Sequence, residues 1–152
     1  MSTAREILDP APLVVEQATP VRELASRLLA SGAEGACVME SGRLVGVVTA
    51  MDLVFQEKDP RLPTLFTFMD AVIPLGWKRV EEELHKIAGV TVGEIMTASP
   101  VTVGPDEDLH RIATLMVEGH LSMIPVVEDG LLLGVVDKRR VLQAAFASAA
   151  KA

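Results

Sequence analysis

The strongest constraint on the fold is an internal repeat. When the chain is shifted against itself by about 88 positions, "TAREILDPAPLVV" falls on "TVGEIMTASPVTV", and "CVMESGRLVGVVTAMD" falls on "PVVEDGLLLGVVDKRR", without a gap. The matched identities include two glycine pairs, Gly42 with Gly130 and Gly46 with Gly134. An ungapped match over roughly fifty positions with the glycines in register indicates a duplication. The chain is therefore expected to contain two copies of one structural unit.

The middle of each copy predicts a helix. In the first copy, Thr19 is expected at the N-cap and Pro20 at the first helical position, followed by an apolar stripe at helical spacing and a stop at Gly32. In the second copy the corresponding helix is expected to start at 106–108 and to end at Gly119. Both helices are expected to bury their apolar stripes against a sheet.

The remainder of each copy predicts a hairpin and a second helix. Ser41-Gly42 and Asp129-Gly130 each lie between two apolar runs, which is typical of a tight β-hairpin. Helices are expected from about residue 50 to 57 and from about residue 138 to 149. The sequence thus predicts a mixed α+β fold with two β-α-β-β-α repeats, related by a pseudo-two-fold axis and sharing one core.

An insertion separates the copies, so that the expected organisation is repeat 1 (1–57), a helical insertion or linker (58–90) and repeat 2 (91–152). The insertion holds Phe66, Phe68 and Trp77, and its "KRVEEELHKIAG" segment has the pattern of an amphipathic helix. One interpretation is a helical cover over the shared core. The other is a docking surface for a second subunit or a partner protein.

Composition excludes several classes of function. The net charge of −7 and an aromatic content of 3% argue against binding of nucleic acid. No apolar run reaches the ~20 residues of a membrane span, and no signal sequence is apparent, so a cytoplasmic protein without membrane contact is expected. Cys37 is the only cysteine, and the three histidines lack a metal-ligand spacing, so no metal site is expected. No nucleophile–base pair is apparent, and the chain is not expected to be an enzyme.

The segment "GVVTAMD" is the best candidate for a binding site. It predicts a strand that ends at Thr49, with Asp52 at the third position of the following helix. One interpretation is a capping box, in which both side chains bond to the backbone of the helix start. The other is a nucleotide site, because a helix start favours phosphate and a carboxylate accepts hydrogen bonds from a ribose diol.

The paired repeats, "GVVTAMD", "MIPVVEDGLLLGVV" and "VGEIMTASPVTV" closely resemble a tandem pair of cystathionine-β-synthase (CBS) domains. The resemblance implies a regulatory module that binds AMP, ADP, ATP or S-adenosylmethionine between its repeats, with no catalytic cofactor. It also implies a homodimer. With its helical insertion between the repeats, the chain resembles stand-alone CBS pairs from bacteria, which have no assigned role.

The resemblance also implies specific contacts. Thr49 and Asp52 would bind phosphate and ribose, with help from the backbone of Val48 and Ala50. The adenine would lie against the second copy, at Thr91, Ile95, Met96, Leu121, Ser122, Met123 and Pro125. For Ile95, Met96 and Leu121, ordinary core packing is the alternative interpretation.

The second copy has lost the motif, since Asp137 and Arg140 replace the threonine and the aspartate. Asp137 can still cap a helix, but it repels phosphate, and Arg140 cannot accept from a diol. We expect one competent cleft and a second that is empty or altered. Lys138, Arg139 and Arg140 are candidate phosphate contacts for the ligand held by Asp52, the alternative being a solvated basic turn.

Two functions remain open at this stage. The first is a nucleotide sensor that shifts between orientations of its repeats and regulates an unidentified partner protein. The second is a structural or interaction module with vestigial sites, acting through dimerisation or through the aromatic insertion.

Overall fold

The computed structural model describes residues 2–54 and 90–150 and confirms the mixed α+β fold. The elements of the first copy are α1 (Ala4–Ile7), β1 (Val14–Val15), α2 (Val21–Ser31), β2 (Gly35–Glu40), β3 (Arg43–Thr49) and α3 (Ala50–Val54). Those of the second copy are α4 (Val92–Ile95), β4 (Thr97–Ala98), α5 (Leu109–Gly119), β5 (Met123–Glu128), β6 (Leu131–Asp137) and α6 (Lys138–Ala150). The predicted insertion at 58–90 lies outside the described residues except for Val90.

The first long helix, α2, ends where the sequence predicts but starts one residue later. Gly32 is its C-cap, with a left-handed φ of 70° that glycine adopts without strain. Its N-cap is Pro20 and not Thr19. The Thr19 hydroxyl is used one turn earlier, where it accepts a hydrogen bond from the Glu16 N–H at 3.0 Å.

The matching helix α5 has a side-chain cap at its start. The Asp108 carboxylate accepts a hydrogen bond from the Arg111 N–H at 2.7 Å, within the range in which the sequence predicts the helix to begin. The helix ends at Gly119, as predicted, and its C-cap is His120, with φ 52°. A non-glycine residue in this conformation is uncommon, and it places His120 at the end of the helix next to β5.

Both predicted hairpins are present. The turn residues Ser41-Gly42 have φ angles of 50° and 79°, and Asp129-Gly130 have 51° and 79°. Two successive positive φ angles are typical of a type I′ turn, which suits the twist of paired strands. Both hairpins also have a register shift at the matching place, between Val38 and Met39 and between Val126 and Val127. The duplication therefore extends to backbone irregularities.

The copies exchange the segments that precede their first strands, here called the first arm (residues 3–9) and the second arm (residues 91–97). Strand β4, at the end of the second arm, pairs antiparallel with β3 of the first copy. In the matching place, Asp9 of the first arm forms a bridge with Val135 of β6. The result is a sheet in the order β1-β2-β3-β4 and a separate β5-β6 hairpin.

The exchange divides the core. Each copy packs its own hydrophobic cluster, and each cluster is completed by apolar residues from the other copy's arm. A third, smaller cluster joins the copies through Cys37 and Met123 together with Val135. The expectation of one shared core is therefore wrong: the described residues form two cores and an interface. The reason is that α2 and α5 each cover their own hairpin, and only the arms cross.

Candidate functional site

Two clefts lie between the copies, and the pseudo-two-fold relates them. The first cleft has a volume of about 680 Å³ and is lined by Thr49 and Asp52 of the first copy and by residues within 97–101 and 116–123 of the second. The second cleft has a volume of about 670 Å³ and is lined by residues within 9–14 and 27–35 of the first copy and by the end of β6 and the start of α6. Met123 contributes to both clefts.

Thr49 and Asp52 lie together at the junction of β3 and α3, because three residues in a helical start bring the two side chains to one side. The Thr49 N–H donates to Asp52 Oδ2 at 2.8 Å, and the Thr49 hydroxyl donates to the same oxygen at 3.3 Å. This is one half of the predicted capping box. No described residue donates a hydrogen bond to the other oxygen, Oδ1, although the carboxylate lines the first cleft.

Burial shapes the electrostatics of this carboxyl. The pKa of Asp52 is raised above its usual value, mainly because burial removes water from the charged form, while the two hydrogen bonds from Thr49 act in the opposite direction. The Oδ1 oxygen has no donor among the described residues, and it is not sealed from solvent, so it is an acceptor open to the cleft. Such a group suits a ligand that offers hydroxyl donors.

The structure brings six of the candidate site residues to the first cleft. They are Thr49, Asp52, Leu121, Ser122, Met123 and Lys138. The other candidates do not line this cleft, and each has another role in the described part of the chain. Arg139 and Arg140 line the second cleft instead.

Four of the remaining candidates belong to the core or to the second arm. Ile95 and Met96 pack against the hydrophobic cluster of the first copy, as the arm exchange requires. Thr91 starts α4, where its N–H donates to Glu94 Oε2 at 2.9 Å. Pro125 is fully buried within β5.

Of the two backbone candidates, Ala50 has its N–H engaged, and Val48 lies in β3 opposite Ala36 of β2. The Val48 side chain is fully buried in the core of the first copy. The Ala50 N–H donates to the Glu34 carbonyl oxygen at 3.1 Å, which connects the start of α3 to the start of β2. The Thr49 N–H is likewise engaged with Asp52. Any phosphate at this helix start would therefore depend on side chains more than on these two N–H groups.

Sequence reasoning missed several residues of the first cleft. Thr97, 99–101 and His120 all line it. The missing signal was the arm exchange, because pairing of β4 with β3 places residues 97–101 directly beside the Thr49 strand. Gly46 hinted at this approach: a Cβ there would lie 2.8 Å from both the Met96 sulfur and the Thr97 carbonyl oxygen.

The second cleft repeats this geometry with different chemistry. Asp137 occupies the position of Thr49, and its Oδ1 accepts from the Arg140 N–H at 2.9 Å, so the predicted helix cap is present. Arg140 occupies the position of Asp52, and its Nη1 donates to the carbonyl oxygens of Ile7 (3.3 Å) and Leu8 (3.2 Å) in the first arm. The guanidinium thus connects the two copies where the first cleft has a carboxylate.

Cys37 offers no accessible nucleophile. It lies in the middle of β2, fully buried in the cluster between the copies. Burial raises the pKa of its thiol to about 12, so the reactive thiolate is not populated near neutral pH. Within residues 2–54 and 90–150, no group of three or more histidine, cysteine or acidic side chains has the proximity to hold a metal ion.

Helices of the described segments are all too short or too polar to cross a bilayer.

The family model for the CBS domain matches residues 4–58 and 92–147, which is one match for each copy. The protein CBSX2 of Arabidopsis thaliana, a chloroplastic CBS domain-containing protein, is 30% identical over 141 residues. That alignment covers 87% of this chain and 58% of CBSX2, so the chain spans little more than half the length of this relative.

Solved structures agree with the family match. A crystal structure of CBSX2 from Arabidopsis thaliana has a TM-score of 0.75 and 26% identity, covering 99% of this chain and 98% of the other. A crystal structure of CBSX2 in complex with AMP has a TM-score of 0.70 and 26% identity, covering 97% and 98%. The family match, the relative and the fold lead to the same conclusion, that the chain belongs to the CBS domain family and contains two CBS repeats.

Proposed function

We propose that the chain is a regulatory module that binds an adenosine-containing nucleotide in the first cleft, with AMP, ADP, ATP and S-adenosylmethionine as the candidate ligands. The observation that carries the proposal is the Asp52 carboxylate, which lines the cleft and has one oxygen without a donor among the described residues. Two vicinal hydroxyls of a ribose can supply the missing hydrogen bonds.

The base side of the ligand would lie against the second copy. Leu121, Met123 and Val101 provide apolar surface, and Thr97 and Ser122 provide polar groups beside it. An apolar pocket with few polar groups is typical of sites for flat aromatic ligands. The complex of CBSX2 with AMP supports an adenine nucleotide, since CBSX2 shares this fold at 26% identity.

Lys138 would make the phosphate contact. It is the only one of the three basic residues at 138–140 that lines the first cleft, and it lies at the start of α6. His120, on the same cleft, is a second polar group for the phosphate end. This assignment replaces the broader set that includes Arg139 and Arg140, because those two side chains line the other cleft.

Regulation would follow from the position of the ligand between the copies. A nucleotide held by Asp52 of the first copy and by 97–101 of the second favours the relative orientation of the copies that allows both contacts. The change would reach an unidentified partner protein or a second subunit. No catalytic step is involved.

We also propose a homodimer. Leu29 on α2 and Val117 on α5 occupy matching positions in the two copies, and they are 78% and 74% exposed. Leu142 and Phe146 on α6 add a further apolar surface, at 57% and 69% exposed. Exposed aliphatic residues that obey the internal symmetry suit a self-complementary contact between two copies of the chain.

A second candidate function is a structural or interaction module with vestigial sites. One observation favours it: Asp52 Oδ2 already accepts two hydrogen bonds from Thr49, as a residue that only starts a helix would. In that case no nucleotide would bind, and dimerisation or the insertion between the repeats would provide the function.

Calorimetric titration separates the two candidates. The native protein is titrated with AMP, ADP, ATP, S-adenosylmethionine and GTP, in parallel with Asp52→Asn and the control Asp108→Asn. Asp108 also accepts a backbone N–H at a helix start, but it lines neither cleft. We expect one adenosine ligand to bind and Asp52→Asn to weaken it at least about tenfold, because a charged hydrogen bond contributes about 1.5–3 kcal/mol. Absence of binding by all five ligands, or equal losses in both variants, would favour the structural module.

A further inference from the structure

The second cleft is surrounded by an unusual number of arginines. Arg27 of α2 and Arg139 and Arg140 of α6 all line its 670 Å³ volume. Among the described residues that line the first cleft, which has nearly the same volume, there is no arginine. Because guanidinium groups are always charged and present donors in a planar fork, three of them around one cavity are suited to a ligand with carboxylate or phosphate oxygens.

Three acids, Asp9, Glu34 and Asp137, line the same cavity, so its described lining carries as many negative as positive side chains. None of these acids lies within 4.0 Å of a described arginine nitrogen as an ion pair, so the guanidinium groups are not held by salt bridges. Two of the carboxylates are engaged with the backbone instead. Asp9 Oδ1 accepts from the Ala11 N–H at 2.9 Å, and Asp137 Oδ1 accepts from the Arg140 N–H at 2.9 Å.

Arg140 is held in place at the boundary of the cavity. Its Nη1 donates to the Ile7 and Leu8 carbonyl oxygens, and neither Nη2 nor Nε donates to a described residue. A guanidinium has five N–H groups, so donors remain for a ligand after these two bonds are made. The two contacts also fix the position of the group, which lowers the entropy lost on binding.

We propose that the second cleft is a binding site for a small polyanion without a ribose diol, held by Arg27, Arg139 and Arg140. A nucleoside is disfavoured there, because Arg140 replaces the only acceptor that matches Asp52, and because its guanidinium occupies the carbonyl oxygens of the arm. A compact molecule with several phosphate or carboxylate groups satisfies the remaining donors, with its anionic groups at the guanidinium groups and away from Asp137, which repels them. The three arginines do not line the first cleft, so this site does not require the nucleotide proposed there.

Inorganic pyrophosphate and citrate are the probes, and their comparison tells a phosphate ligand from a carboxylate ligand. Each is titrated calorimetrically into the native protein and into Arg27→Gln and Arg139→Gln. The controls are Arg22→Gln on α2 and Arg111→Gln on α5, which remove one positive charge from residues outside the cleft. We expect at least one probe to bind, and each cleft variant to weaken it about tenfold or more, while the controls change it less than about twofold.

The same titrations are repeated on Asp52→Asn and in the presence of saturating AMP. Binding of pyrophosphate or citrate should be retained in both, because Asp52 does not line the second cleft and AMP would occupy the first one. Saturating AMP can change the affinity of the probe through the orientation of the copies, but it should not displace the probe. If neither probe binds, if the control variants weaken binding as much as the cleft variants, or if AMP competes with the probe, the proposal is overturned. Failure of AMP, ADP, ATP and S-adenosylmethionine all to bind, with arginine-dependent binding of a probe, would instead contradict only the proposed nucleotide function.

Discussion

The two clefts are nearly equal in volume and are built from matching segments, yet they differ in charge at the position that faces a ligand. In the first, Asp52 accepts the Thr49 N–H from the third helical position. In the second, Asp137 accepts the Arg140 N–H from the N-cap position. Each copy therefore keeps one half of a capping box, and the carboxylate has moved from one end of the box to the other.

This difference shows how a duplicated site can change its chemistry without a change of fold. A helix start has several N–H groups without an intrahelical partner, and each position of the box supplies an acceptor for one of them. In the second copy the acid at position 137 supplies that acceptor, so the third helical position does not have to be an acid. Arg140 can then occupy it and reach the first arm. The fold therefore requires a capping side chain at this helix start, whereas the residue that faces a ligand can change.

The largest expected loss of stability tests whether the first arm packs as closely on β6 as the second arm packs on β3. In Gly134→Ala, the new methyl group would clash with the Asp9 carbonyl oxygen and lie 2.8 Å from Leu8 Cδ1. In Gly46→Ala, it would meet the Thr97 carbonyl oxygen and the Met96 sulfur, both at 2.8 Å, and the flexible thioether can move aside. We expect urea unfolding to show a loss of about 3 kcal/mol for Gly134→Ala and about 1–2 kcal/mol for Gly46→Ala.

Gly130→Ala provides the control for this pair, since a Cβ at that position meets no atom within 4 Å and only its φ of 79° is unfavourable. If Gly46→Ala and Gly134→Ala lower the free energy of unfolding equally, the two arms pack equally closely, and the expected difference between them is wrong.

The fold could be predicted from the sequence to the level of the repeat unit. The hairpin turns at Ser41-Gly42 and Asp129-Gly130 and the helix stop at Gly32 follow from local backbone requirements, which the sequence displays directly. The exchange of arms does not, because a two-residue strand such as Thr97–Ala98 has no periodicity to reveal its partner. The glycines within strands at positions 46 and 134 are the sequence features that accompany the close approach of the two arms.

The site shows the same division between local and long-range information. The Thr49–Asp52 pair and the Asp137 cap are contacts within three residues, and both are present. The opposite wall of the first cleft depends on which residues the arm brings to the strand. Ile95 and Met96 pack inward there, while Thr97 and Val101 line the cleft. Lys138 and Arg140, two residues apart at a helix start, line different clefts.

The next largest loss of stability is expected when the hydrogen bonds of Arg140 between the two copies are removed. Replacement of Arg140 with Met removes the hydrogen bonds to Ile7 and Leu8 and keeps most of the apolar stem. We expect a loss of about 1–2 kcal/mol in the free energy of unfolding. Arg139→Met is the matched control, because no described residue accepts a hydrogen bond from its side chain, and it should stay within about 0.5 kcal/mol of the native protein. If both variants lose the same stability, Arg140 does not connect the copies.

The smallest effect is a pH dependence of the stability of the ligand-free protein, caused by ionisation of Asp52. Its pKa is raised in the folded state above the usual 3.8, so folding is favoured when the carboxyl is protonated. As the pH rises from below 3.8 through the raised pKa, the native protein should therefore lose stability relative to Asp52→Asn, whose amide does not ionise. Thermal unfolding between pH 3 and 7 should show the difference in melting temperature moving steadily in favour of Asp52→Asn and then becoming constant.

Asp137→Asn in the second copy is the control variant. Asparagine is an equally good N-cap residue, so the melting temperature of this variant shows what an amide costs at a helix start. A melting-temperature difference that moves in favour of the native protein with rising pH would show that the hydrogen bonds from Thr49 outweigh burial of the charge. Asp52 would then be satisfied by hydrogen bonds within its own helix start, and its carboxylate would not require a donor from a ligand. The expected direction, in contrast, identifies Asp52 as a residue that destabilises the empty cleft, as binding residues often do.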